Sequence, residues 1–336
     1  MKILVTGGAG FIGSHTVIEL QNAGYDVVVV DNLVNSSEKS LENNQVVALD
    51  NLSLGRKSNL KQASENPNFT FIEEDILHED ALNRIFAEHR FDMVFHLAAN
   101  SDIARSFANP DVDLDMTFMT TYTLLKTMKK HNVKKLMFAS TSAIYGQTGG
   151  VEVRENYGPL FPASHYGAGK LASEAFIASF AENYGIQAWI TRFPNVCGER
   201  TTHGILHDFV KKLKNNPKEL EVLGNGKQAK PYLYVQDLID AILFVCRQTN
   251  DKINFFNLGV EGQTSVAKIA EMVIEAMKLQ ASIRYTGGDR GWVGDVPKFA
   301  YNLDKIHGLG WKASLTSDQA VAKAIRYILE QDACNL

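Results

Sequence analysis

Along much of the chain, short apolar runs alternate with stretches of helical periodicity. Ile3, Leu4 and Val5 form a first run of strand length, and four consecutive valines, 27 to 30, form a second. Between them Val17, Ile18 and Leu20 recur at helical spacing, and Gly24 ends the helix before the second strand begins. The alternation continues. Residues 69–72 read as a third strand, 79–89 as an amphipathic helix and 91–99 as a fourth strand. A helix is predicted over 113–130, with Leu114, Phe118, Tyr122, Leu125 and Met128 on one stripe. Residues 135–139 give a fifth strand, 166–184 a further helix and 187–191 a sixth strand. Near-continuous apolar strands separated by helices predict an α/β protein whose parallel sheet is covered on both faces. Further on, the pattern predicts helices over 235–245 and 266–277, with a strand at 255–259 between them.

The junction of the first strand and first helix carries chemistry. Gly7, Gly10 and Gly13 stand in the strand–turn–helix context of a dinucleotide site. Gly7 allows a tight turn, Gly10 lets the backbone approach a pyrophosphate at the helix N-terminus, and Gly13 lets helix and strand pack closely. Asp31 ends the second strand, where a carboxylate can accept hydrogen bonds from an adenosine ribose, and an acid there favours NAD over NADP. Residues 28–33 recur in altered form at 47–52, so Asp50 is an alternative for the ribose acid, or it caps a turn. Asp75 suits either the adenine amino group or an N-cap. The small residues Ala98 and Ala99 end the fourth strand at the sheet edge where ligands of such folds bind. His96 reads as a packed strand residue. Hydroxyls at Ser140 and Thr141 follow the fifth strand into the same region. Tyr166 and Lys170 lie one helical turn apart on one face, where an ammonium near a phenol favours the phenolate.

Composition narrows the class. The chain has 336 residues, enough for one large domain or two coupled ones, and 45% are apolar, which supports a substantial core. Net charge is −4 with basic residues dispersed, which argues against nucleic acid as a partner. Cys197, Cys246 and Cys334 lack metal-ligand spacing, so no metal site is expected and a reducing compartment fits. No apolar run has the length of a membrane span, and a strand starting at Lys2 leaves no room for a signal peptide. The expectation is a cytoplasmic protein with no membrane partner.

The segments 6–14, Asp31, Asp75-Ile76, 96–99, 140–146 and 166–170, taken in order, resemble the extended short-chain dehydrogenase/reductase superfamily. More narrowly, they resemble its nucleotide-sugar 4-epimerases of the UDP-glucose 4-epimerase type. The resemblance implies a Rossmann-type doubly wound parallel sheet over 1–192 plus about 229–257. A smaller substrate-binding α/β domain would take 193–228 and 258–336. It implies Tyr166 as catalytic base and acid, Thr141 as the catalytic hydroxyl and Lys170 as the group that tunes Tyr166. NAD is the implied cofactor, held by Gly7, Gly10, Phe11, Ile12, Gly13, Asp31, Asn32, Asp75, Ile76, Leu97, Ala98, Ala99, Ser140, Tyr166, Lys170 and Phe193. Substrate contacts are implied at Thr141, Asn195, Lys230, Arg290, Asp295 and Phe299.

Several positions depart from the family pattern. Thr117 stands where many relatives have Asn, Pro194 where an aromatic is common, Lys230 where Arg is usual, and Arg290 lies further than usual from Gly294-Asp295. A bulky Phe299 is expected to favour plain hexoses over N-acetylhexosamines. The implied reaction is NAD-dependent inversion at C4 of a UDP-hexose through a transient 4-keto sugar. A dehydrogenase, a 4,6-dehydratase and a non-catalytic NAD-binding sensor are the alternatives. Dehydratases of the superfamily follow the Thr with Asp-Glu, and here Ser142-Ala143 follow. The resemblance also implies a homodimer, through the helices bearing Phe118, Tyr122, Phe176 and Phe180.

Overall fold

The structure is a computed structural model that describes residues 1–30, 57–66, 69–100, 103–288 and 298–334. Asp31, Asn32, Asp50, Arg290, Asp295 and most of the repeated segment lie outside the described residues. The central element is a seven-stranded parallel sheet. Its strands are β1 (Lys2–Thr6), β2 (Asp26–Val30), β3 (Thr70–Phe71), β4 (Met93–His96), β5 (Lys135–Thr141), β6 (Gln187–Phe193) and β7 (Ile253–Asn257). They lie in the order β7-β6-β5-β4-β1-β2-β3. Ile3 pairs with Val27 on one side and Met93 on the other, and Val94 pairs with Leu136. Strands therefore step outward from β1 in both directions, and the order reverses between β1 and β4. Loops at the carboxyl ends of those two strands flank the switch point, where ligands of doubly wound sheets bind.

Strand burial explains the apolar runs. Every residue of β4 is buried, and all of β1 but Lys2. Leu4, Val94, Leu136 and Phe138 pack with Leu124, Leu125 and Met128 from α3 (Thr120–Lys130) and with Ile177 and Phe180 from α4 (His165–Tyr184). Each such side chain contributes about 1.5–3 kcal/mol relative to an exposed position.

The helix expected over 113–130 is not continuous. Leu114–Met119 forms a π-helical segment, in which the amide of Thr120 bonds to the carbonyl of Asp115, before α3 begins. The wider turn shifts the helix face. Leu114 is consequently exposed rather than part of an apolar stripe, and Thr117, Thr121 and Thr127 are buried instead.

The chain divides into two compact units. One comprises Met1–Ile144, Ser164–Arg192 and Ile242–Phe256; the other comprises Tyr145–Ala163, Phe193–Ala241 and Asn257–Leu336. The second unit thus takes 145–163, 229–241 and Asn257, which the sequence pattern placed with the first. Local bonding accounts for the first of these segments: Tyr145 donates to Asn257 Oδ1 at 2.7 Å, and the pair Glu152–Val153 runs parallel to Ala300–Tyr301. The second unit has its own core, in which Leu206, Phe209 and Leu213 pack with Leu220, Val222, Ile269, Val273 and Ile325.

Candidate functional site

The site is built where β5 ends and α4 begins. Ser164 caps α4, its hydroxyl accepting from the Gly167 amide at 3.1 Å. That cap fixes the first helical turn and with it Tyr166. Thr141, the last residue of β5, is a hydrogen-bond partner of the Tyr166 phenol. Lys170, one turn further, is buried, and its ammonium donates to the Ala139 carbonyl at 2.7 Å. Its Nζ lies 4.7 Å from the Phe138 ring centroid and 6.0 Å from that of Tyr166. The fold therefore brings Thr141, Tyr166 and Lys170 together.

The proton affinities differ from the sequence expectation. Burial pushes the Tyr166 phenol upward, the hydrogen bond with Thr141 acts against that, and the Asp113 charge adds to it. Burial also pulls the Lys170 ammonium down to about 7, with Asp113 and Glu174 holding it from falling further. Burial is the largest cause of both shifts, and it disfavours the charged form of each group.

A second layer locks this geometry. Glu174, one turn beyond Lys170, accepts from Arg192 Nε at 3.0 Å and Nη2 at 2.6 Å, and from the Ser140 hydroxyl. All three residues are buried. A bidentate, charge-assisted bridge thus ties β5, α4 and β6 at the level of Thr141 and Lys170. Sequence reasoning gave Ser140 to the cofactor and did not single out Glu174. The signal was available: position 174 is a full turn past Lys170 on the same face.

The glycine turn stands beside the switch point. Gly7 has φ of 71°, and a Cβ there would lie 2.7 Å from the Ala98 amide nitrogen. A Cβ at Gly13 would lie 1.9 Å from the Gly7 carbonyl oxygen. Only glycines permit this approach. Gly10 is the N-cap of α1 (Phe11–Asn22); no side chain caps that end and its first turn holds no acid. An uncapped, unneutralised helix N-terminus beneath a glycine turn fits a pyrophosphate. Leu97, Ala98 and Ala99 follow the carboxyl end of β4. His96 is buried and held neutral, its affinity pulled down to about 3 by burial and the Lys170 charge. Its Nδ1 lies 2.7 Å from Thr6 Oγ1 and its Nε2 3.0 Å from Thr121 Oγ1.

Asp75 Oδ1 accepts from the Leu77 amide at 2.8 Å, and Ile76 belongs to the sheet core. In the second unit, Phe193 is buried, Asn195 is exposed on a strand paired with Tyr232–Tyr234, and Lys230 is half-buried opposite Thr264. Phe299 is buried, stacked at 6.0 Å on Tyr145 and edge-on at 4.8 Å to Tyr301. Among the described residues there is no group of three or more potential metal ligands, and no helix is long and apolar enough to cross a membrane.

A doubly wound sheet with a glycine turn at its switch point defines a dinucleotide-binding α/β protein. The chain belongs to the NAD dependent epimerase/dehydratase family, whose model matches residues 3–259. It is 30% identical over 331 residues to a putative UDP-glucose 4-epimerase of Methanocaldococcus jannaschii, covering 97% of this chain and 98% of that one. A UDP-glucose 4-epimerase from Thermotoga maritima, solved with UDP-glucose, superposes with a TM-score of 0.83 at 31% identity, covering 98% and 99% of the two chains. A dTDP-glucose 4,6-dehydratase from Streptomyces venezuelae, solved with NAD bound, gives a TM-score of 0.84 at 25% identity over 99% and 98%. The protein is accordingly an NAD-dependent enzyme of the nucleotide-sugar epimerase/dehydratase type.

Proposed function

We propose that the protein is a 4-epimerase of UDP-hexoses, with UDP-glucose and UDP-galactose as its substrate pair. The observation that carries this reading is the convergence of the Tyr166 phenol, the Thr141 hydroxyl and the buried Lys170 ammonium at the carboxyl end of β5. NAD, when bound, supplies a hydride acceptor and donor for C4 of the sugar. Gly7, Gly10 and Gly13 are the proposed seat of its pyrophosphate, with Asp31 at the adenosine ribose. Tyr166 takes the proton from the 4-hydroxyl oxygen and returns it to the same oxygen after the sugar has turned over. Thr141 hydrogen-bonds that oxygen and stabilises the charge that develops on it. Lys170 holds positive charge next to the phenol. Asn195, Lys230, Arg290 and Asp295 are the proposed diphosphate and ribose contacts, and Phe299 the proposed limit on sugar size.

A 4,6-dehydratase is the second reading, favoured by the similarity to the Streptomyces venezuelae enzyme. Against it, Ser142 and Ala143 follow Thr141 and offer no acid–base pair for eliminating water. Incubation with UDP-glucose, UDP-galactose and dTDP-glucose, followed by NMR, separates the readings. The epimerase reading expects interconversion of the two UDP-hexoses without accumulation of NADH. A 4-keto-6-deoxy product, or net NADH, would overturn it.

The proposal includes a homodimer. Phe118 packs edge-on at 5.2 Å against Phe176, Tyr122 does so at 5.5 Å, and Phe176 remains 40% exposed on that face. A monomeric mass by light scattering at micromolar concentration would count against it. A cytoplasmic setting completes the reading and suits the free thiols of Cys197 and Cys246.

A further inference from the structure

In the first unit, the charged side chains buried among the described residues are Asp113, Lys170, Glu174 and Arg192. Glu174 and Arg192 neutralise each other through their two-pronged bridge. That leaves one buried cation and one buried anion. Lys170 Nζ has the Ala139 carbonyl and two ring faces as neighbours, and no described carboxylate in ion-pair contact. Asp113 is 1% exposed. Its Oδ1 accepts from Asn100 Nδ2 at 3.1 Å and Thr117 Oγ1 at 2.8 Å, while its Oδ2 is buried with no hydrogen-bond partner. An uncompensated carboxylate in such a place is costly unless a cation balances it.

The backbone brings the two charges into one region. A Cβ at Gly169 would lie 3.2 Å from the Asp113 carbonyl oxygen and 3.2 Å from Thr117 Cγ2. The absence of a side chain at Gly169 therefore lets Asp113 close onto α4 beside Lys170. The other titratable or charged groups packed around this point are Tyr166 and Glu174 on α4, Arg192 on β6 and neutral His96 on β4. Of these only Glu174 is an anion, and it too raises the proton affinity of Lys170, though less than Asp113 does. Glu174 is taken by Arg192, and a Tyr166 phenol that keeps its proton is uncharged.

We propose that Asp113 is a positioning residue that serves as the counter-ion of Lys170 and keeps the buried ammonium protonated. Asn100 and Thr117 aim its carboxylate, and the π-helical turn that begins at Leu114 follows directly from it. The direction of the electrostatics agrees, since the Asp113 charge raises the proton affinity of Lys170. The interest of Lys170 rests on the epimerase reading, but the test below needs no turnover and fails or succeeds separately from it.

The test is a lysine titration. Protein carrying 15N-labelled lysine is followed by NMR across pH, with the Lys170 resonance assigned by its loss in K170R. D113N is expected to lower the Lys170 midpoint by about one pH unit or more, a tenfold or larger loss of proton affinity. T117V, which removes a hydrogen bond but keeps the charge, should leave the midpoint near that of the unsubstituted protein. An unchanged midpoint in D113N overturns the proposal. A second measurement covers the case in which D113N folds poorly. Each of D113N and K170M strands one buried charge, so the urea unfolding constant of D113N/K170M should fall below the additive expectation by about tenfold or more. Additivity of the two single variants would overturn the assignment.

Discussion

Arg192 and Glu174 face each other across a buried, two-pronged bridge, Nε 3.0 Å and Nη2 2.6 Å from the two carboxylate oxygens. The Ser140 hydroxyl completes the coordination of the same carboxylate. Removing the guanidinium leaves Glu174 charged and unpaired. Arg192→Met is therefore expected to cost about 3–5 kcal/mol in urea unfolding. A loss below about 1 kcal/mol would mean that the bridge contributes little beyond packing.

Tyr166→Phe keeps the ring and removes the only group proposed to move a proton. Turnover should fall by at least about a hundredfold, in line with the contribution of a positioned acid–base group. Binding of UDP-glucose by calorimetry should change little. Activity within a few-fold of the parent would show that another residue is the base.

Lys170 links stability to pH. Its folded-state affinity is lowered to about 7, whereas an unfolded lysine titrates near 10.4. Between those values the unfolded chain binds more protons, so stability rises with pH across that window and this group adds nothing further outside it. Urea midpoints measured from pH 7 to 10 should show that rise in the parent and lose this component in K170M. Parallel curves for the two proteins would refute the burial argument.

Gly13→Ala would place a methyl 1.9 Å from the Gly7 carbonyl oxygen, a backbone atom that cannot step aside alone. The turn must shift, at a cost of about 1–3 kcal/mol. The expected result is a protein that purifies with much less bound NAD, measured by extraction and absorbance. Full NAD content in the variant would argue that this turn does not seat the cofactor.

Phe299 offers a choice between two roles. Its contacts with Tyr145 and Tyr301 make it core of the second unit, so Phe299→Ala should cost about 3–5 kcal/mol. If stability is unchanged while N-acetylhexosamine turnover rises, its main role is the size limit and not the packing.

The sequence made the sheet, the glycine turn and the Thr141–Tyr166–Lys170 cluster legible because each has a local signature: apolar runs, glycine spacing, and two residues one turn apart. Glu174 and Arg192 were not legible as a pair, because a bridge between a helix and a strand leaves no mark in either segment. Asp113 was read only as the start of a helix. An acid there is ordinarily a first-turn residue facing solvent, whereas here Asn100, Thr117 and the close approach at Gly169 enclose it. The stripe through Leu114 failed for a different reason, since a constant 3.6-residue period cannot anticipate a wider turn.

That wider turn has a practical consequence. Leu114–Met119 acts as a phase shifter in an otherwise regular rod, so the faces before and after it obey separate periodicities. A saturation scan through 110–130 should then show its intolerant sites slipping out of step near Thr117. Excising one residue from 114–119 should restore an unbroken helix and, in doing so, rotate Asp113 out of register with Thr121 and the threonines that follow.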